Sequence, residues 1–145
     1  MGLINLLFKN KPDAMCFLNY VGGFPEWKND LELLVKIYDK EIKFGVFNKK
    51  PLIETNLSEI DVTIENEKQF SERVTATRLL LVGIFAFAFK KKQNIENRYI
   101  SFKFKEIDLK DKSRKYNDVE IVFTSKHPKQ IDNLYNHIMR IKAQY

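Results

Sequence analysis

Apolar residues recur at every second position along most of this chain, and at every third or fourth position only near its C-terminal end. That change of period constrains the fold more than any single motif. Alternation puts one side of an extended strand into a core, whereas spacings of three and four make one stripe of an α-helix. In LELLVKIY, Leu33, Val35 and Ile37 share a face. After Asp39-Lys40, EIKFGVF sets Ile42, Phe44 and Val46 on one face with Lys43 opposite. The short link between these runs predicts a hairpin. Asn48-Lys49-Lys50-Pro51 is turn chemistry, since proline has no N–H for a central ladder. Leu52 and Ile53 offer a short strand, and SEIDVTIE sets Ile60, Val62 and Ile64 against Asp61, Thr63 and Glu65.

Residues 79–89 carry no charge, and Lys90, Lys91 and Lys92 follow at once. A membrane-spanning helix needs about 20 apolar residues, so a run of this length cannot cross a bilayer core. From Ile84 the run alternates and puts Phe85, Phe87 and Phe89 on one face, which predicts a strand with its phenyl rings in the core. RYISFKF turns Ile100, Phe102 and Phe104 inward and leaves Ser101 and Lys103 outside. The charged stretch KEIDLKDKSRKYND reads as an exposed loop, and DVEIVFT supplies Val119, Ile121 and Phe123 on one face. About seven short strands separated by turns predict an antiparallel sandwich or barrel.

In PKQIDNLYNHIMRIK the apolar positions are Ile131, Leu134, Tyr135, Ile138 and Ile141 or Met139, the stripe of an amphipathic helix. Pro128 suits its first position, with His127 or Ser125 as cap candidates, and Arg140 and Lys142 complement the dipole in its final turns. At the other end, INLLF suggests a short helix and GGFPEW a turn-rich connector. The expected organisation is an N-terminal extension over residues 1–29 packed on a single domain over residues 30–145.

The order of strands followed by one helix, together with ERVTATRLLLVGIFAFAFKKK and the RYISFKF after it, resembles bacterial pleckstrin-homology-like (PH-like) proteins. The matching positions are Thr75, Arg78, residues 79–81, Gly83, residues 85–89, Lys90, Lys91 and Lys92, and the likeness spans residues 30–142. The resemblance implies a mainly β fold: a seven-stranded antiparallel barrel or sandwich open at one corner, capped by the terminal helix. On function it is nearly silent, because that fold hosts many different ligands. Phosphoinositide-binding members place Lys, Lys or Arg, then Arg around the first hairpin. Lys36 and Lys43 match that pattern, but Gly45 stands where the arginine would fall, so specific headgroup recognition is not implied.

Catalytic chemistry has little to work with. Cys16 is the one cysteine, so no intrachain disulfide forms, and its neighbours in MCFLNY favour an inert packed thiol. His127 and His137 lack metal-ligand partners at useful spacing, and His137 falls on the polar side of the last helix. Gly22-Gly23 precedes Phe24-Pro25 without the lysine of a phosphate loop, and carboxylates are scattered. No catalytic residue, metal or cofactor is therefore expected. The start MGLINLLF lacks a signal-peptide pattern, and Leu6 replaces the Ser or Thr of a myristoylation site. A cytoplasmic location is expected, with peripheral membrane contact as an extension of it.

Charge is the remaining clue. With 25 Lys and Arg against 19 Asp and Glu the net charge is +6 and the pI ≈ 9.3, a bias toward anionic partners that does not choose among them. Three basic clusters fall in expected turns: Lys49 and Lys50; Lys90, Lys91 and Lys92; and Lys110, Lys112, Arg114 and Lys115. Two of them meeting at one rim would form a positive patch for a protein partner or an anionic membrane surface. Nucleic acid is not the expected partner, because the aromatics of RYISFKFK share the inward face with Ile100. A non-enzymatic adaptor that binds a protein through loops or a strand edge is the expected function. The alternative is a small basic inhibitor or accessory protein, of the kind phages encode, acting on a nucleic-acid enzyme.

Overall fold

The computed structural model describes residues 11–27, 31–77, 97–109 and 112–144. The strands are β1 (Ala14–Gly22), β2 (Glu32–Tyr38), β3 (Glu41–Gly45), β4 (Ile53–Asn56), β5 (Ile60–Asn66), β6 (Arg98–Leu109) and β7 (Arg114–Thr124). All neighbours are antiparallel, in the order β4-β3-β2-β1-β7-β6-β5, and the sheet curls into a half-barrel. Two helices complete the described residues, α1 (Glu67–Thr77) and α2 (Pro128–Lys142), with a 3-10 turn at Leu57–Glu59 between β4 and β5.

The alternation seen in the sequence becomes the inner face of the curl. Leu33, Val35, Ile37, Ile42, Phe44, Ile60, Val62, Ile100, Phe102, Phe104, Val119, Ile121 and Phe123 are all buried. Phe44 sits at the centre, with ring centroids 5.0 Å from Phe102, 5.8 Å from Phe123 and 5.9 Å from Phe104. From α2, Ile131, Leu134 and Ile138 join this core, as their spacing predicts. Lys142 Nζ, in the last turn of α2, donates to the carbonyls of Leu57 at 2.8 Å and Ile60 at 2.6 Å, tying the helix end to the 3-10 turn. His127 holds the N-cap position without a side-chain cap; Ser125 Oγ instead accepts from the His127 N–H at 3.0 Å.

Several expectations change. Residues 14–22, read as part of an N-terminal extension, form β1 in the middle of the sheet, paired with β2 on one side and β7 on the other. A boundary near residue 30 would cut between two paired strands. The strand expected over residues 79–89 lies outside the described residues, so the seven observed strands include β1 in its place. The stretch read as a long charged loop is mostly strand, because β6 runs to Leu109 and β7 starts at Arg114. Ser101, expected outside, is fully buried beneath α1 and accepts from Arg73 Nη2 at 3.2 Å.

Helix α1 was not anticipated. Its start is a reciprocal capping box: the Gln69 N–H donates to Asn66 Oδ1 at 2.8 Å, and the Asn66 N–H donates to Gln69 Oε1 at 2.9 Å. Phe70 fixes it to the sheet by stacking on Tyr99 at 4.6 Å. Arg73 adds a bidentate contact to Glu65, with Nε 2.8 and 2.9 Å from its two oxygens.

Candidate binding cleft at the loop rim

Three connections meet at one end of the half-barrel: the turn after β1, the β3–β4 turn and the β6–β7 hairpin. They enclose a cleft of ≈ 280 Å³ lined by Phe24, Glu26, Trp27, Pro51, Leu52, Leu109 and Lys112. The first wall is built by Tyr20. Its hydroxyl donates to the Phe24 carbonyl and accepts from the Phe24 N–H, both at 2.8 Å, which pins the turn. The Trp27 N–H then bonds the Phe24 carbonyl at 3.2 Å. Trp27 meets Tyr20 and Phe24 edge-on at 5.4 and 5.1 Å, and Phe24 meets Tyr116 edge-on at 5.2 Å.

Gly23 makes this turn possible. Its φ is +108°, and an added Cβ would lie 1.8 Å from the Glu120 carbonyl oxygen, so no side chain fits there. The preceding bulge, a register shift between Tyr20 and Gly22 against β7, bends β1 into the turn.

Glu26 gathers the cations of the hairpin. Lys112 Nζ lies 3.1 Å from Oε2 and Arg114 Nη1 2.8 Å from Oε1, while the Tyr116 hydroxyl donates to Oε1 as well. These donors, Tyr116 foremost, then Arg114 and Lys112, pull the Glu26 carboxyl down to about 2. The carboxylate is thus ionised throughout the physiological range and offsets part of the positive charge beside it.

Of the basic clusters, the hairpin one lines this cleft through Lys112, whereas Lys49 lines a separate small pocket with Lys36 and Lys43 on the other side of Pro51. Lys49 and Lys50 are exposed in the β3–β4 turn, directly before Pro51 and Leu52 of the cleft wall. Lys112 and Arg114 stay 57% and 62% exposed while paired with Glu26, and Lys115 pairs with Glu106 at 3.6 Å instead. Lys90, Lys91, Lys92 and Lys110 lie outside the described residues. Sequence reasoning missed Phe24, Trp27 and Glu26, the last of which has its partners 86 to 90 positions away in the chain; GGFPEW signalled only a turn. Lys36 and Lys43 are cross-strand neighbours, and Gly45 packs against Pro51 rather than opening a further donor site.

His137 is not a plain surface residue. It lines a second cavity of ≈ 320 Å³ between β1 and α2, beside Cys16, and its Nε2 is buried without a hydrogen-bond partner among the described residues. Burial pushes the Cys16 thiol up to about 11, which suppresses its thiolate. Among the described residues no group of three His, Cys, Asp or Glu side chains could hold a metal ion, and no helix is long and apolar enough to cross a membrane. No family model, curated protein or solved structure matches the chain.

Proposed function

We propose that the chain is a non-enzymatic binding module of PH-like architecture that engages a protein partner at the loop rim, with electrostatic attraction to anionic membrane as a secondary contact. The PH-like reading is supported by the sheet order β4-β3-β2-β1-β7-β6-β5 followed by one amphipathic helix packed into the curl. The functional reading rests on the meeting of three connections around one cleft. Phe24, Trp27, Leu52 and Leu109 give that cleft an apolar lining, Lys112 puts a cation in its wall, and exposed Lys49 and Lys50 directly precede its Pro51 in the chain. An apolar centre with a charged rim suits a protein surface, and loops on a rigid sheet are where binding residues concentrate.

A photo-crosslinking side chain placed at Leu52, which is 43% exposed, tests this in a lysate of the source cells. Discrete adducts at Leu52, absent at the exposed control position Glu72, are expected, and K49E/K50E/K112E should reduce them severalfold. Equal adducts at both positions, or none at Leu52, would remove the rim as the binding surface. Vesicle flotation separates the membrane contact: recovery with anionic vesicles should exceed that with neutral ones and fall with added salt.

A further inference from the structure

Strand β2 pairs with β1 from Ala14 to Asn19, but β7 pairs with β1 only from Asn19 to Gly22. Among the described residues, the first half of β1 thus has a partner on one side only. Backbone parity identifies the groups left over. The Tyr20 N–H donates to the Leu31 carbonyl at 2.9 Å, so Tyr20, and by alternation Leu18 and Cys16, aim their N–H and C=O toward β2. Met15 and Phe17 aim theirs the other way, into the space that β7 leaves at Thr124.

The surroundings of that edge are specific. On the outer face Met15 and Phe17 are 59% and 45% exposed, and the Phe17 ring lies 6.4 Å from exposed Phe47. Across the edge stands α2, and the cavity between them is lined by Cys16, Leu134, His137 and Arg140. No carboxylate lines it, Arg140 is its one full charge, and His137 Nε2 is unpartnered among the described residues. Backbone groups spaced two residues apart are satisfied by another extended backbone. Apolar side chains on one face of that strand would cover Met15 and Phe17, and acidic side chains on the other would meet Arg140.

We infer that the groove between the first half of β1 and α2 accepts an extended segment of a partner protein as an added strand, with apolar residues alternating with acidic ones. The site shares no residue with the loop rim, so either can fail without the other.

Three capped nine-residue peptides serve as probes: alternating Val and Glu, alternating Val and Lys, and the Val/Glu peptide N-methylated at alternate residues. In the free protein, amide exchange at Met15 and Phe17 should be at least about tenfold faster than at Cys16 and Leu18, since open edges lack protection. The Val/Glu peptide should slow exchange at Met15 and Phe17. The Val/Lys peptide should bind at least tenfold more weakly, and N-methylation should abolish binding. Met15→Pro removes an N–H from the open side while sparing the β2 ladder, and should weaken Val/Glu binding at least tenfold. Should that variant misfold, Arg140→Glu on exposed helix surface should invert the preference toward Val/Lys. Edge amides already protected in the free monomer, protection that grows with protein concentration alongside a dimer mass, equal binding of the three peptides, or no binding at millimolar peptide would each overturn the inference.

Discussion

Arg114 donates to Oε1 of Glu26 at 2.8 Å, joining the β6–β7 hairpin to a turn 88 positions earlier in the chain. With Lys112 and Tyr116 on the same carboxylate, this contact closes one side of the rim cleft. The hairpin and the turn after β1 share no ladder of their own, so Glu26 ties the two together.

Acid should loosen that tie. The folded-state carboxyl of Glu26 is held at about 2 against an ordinary value near 4.5. A depressed carboxyl contributes stability above its unfolded pKa and loses it as pH falls toward the folded one, because the unfolded state then binds the extra proton. The contribution should be complete above about pH 5 and fade toward pH 2. Melting temperatures of the wild type and Glu26→Gln should therefore differ most at pH 6 and draw steadily together as the pH falls toward about 2. A gap that is constant with pH would assign the effect of Glu26 to packing rather than charge.

Tyr20→Phe isolates the clamp on the same turn. The ring stays buried, so no large cavity forms, but the Phe24 N–H loses its acceptor while the Phe24 carbonyl keeps only Trp27. A buried donor left unpaired costs about 1–3 kcal/mol. Urea unfolding should show a loss in that range with an unchanged m value, and Trp27 fluorescence should shift as its neighbour turn loosens.

The contrast between β2 and β1 shows what was legible. Leu33, Val35 and Ile37 recur at every second position, and Glu32 and Lys36 mark the other face despite buried Leu34, so strand and inward face could be read directly. Helix α2 was equally plain from Ile131, Leu134 and Ile138. Strand β1 was hidden because Met15, Cys16, Phe17 and Leu18 are all apolar, so its two faces look alike although Met15 and Phe17 are the exposed ones. Helix α1 offers few apolar positions besides Phe70 and no stripe, yet Asn66 and Gln69 stand at capping-box spacing and could have marked its start. The turn positions of Lys49, Lys50, Lys112 and the exposed residues beside them were readable. The convergence of Lys112, Arg114 and Tyr116 on Glu26 was not, because contacts across 86 to 90 positions leave no local periodic trace.

Gly23→Ala tests whether the passage between β1 and β7 is as tight as its geometry requires. A methyl group would fall 1.8 Å from the Glu120 carbonyl oxygen at a φ of +108°, so backbone must move as well as twist. Overpacking against fixed neighbours costs about 1–3 kcal/mol before the conformational penalty is added. A loss of at least about 2 kcal/mol in chemical denaturation is expected, with amide shifts concentrated at Tyr20, Phe24 and Glu120. A neutral effect would mean that the turn re-forms by another path.

The attachment of α1 rests on a branched ion pair. Arg73 Nη2 lies 2.7 Å from Glu65, and Arg73 Nη1 lies 2.6 Å from Oε1 of Glu120, a close ion pair without hydrogen-bond alignment. The side chains are only 24% and 16% exposed, so the charges are partly desolvated and removing the cation leaves two carboxylates facing each other. Arg73→Leu should cost roughly 1–3 kcal/mol, below the value for a fully buried pair because solvent still reaches the site. Arg73→Lys should recover less than half of that, since one ammonium cannot reproduce the fork that spans Glu65, Glu120 and Ser101. In a double-mutant cycle, Arg73→Leu with Glu120→Gln should cost less than the sum of the single changes by about 1 kcal/mol. Strict additivity would mean that Phe70, stacked on Tyr99, holds the helix without help from the charges.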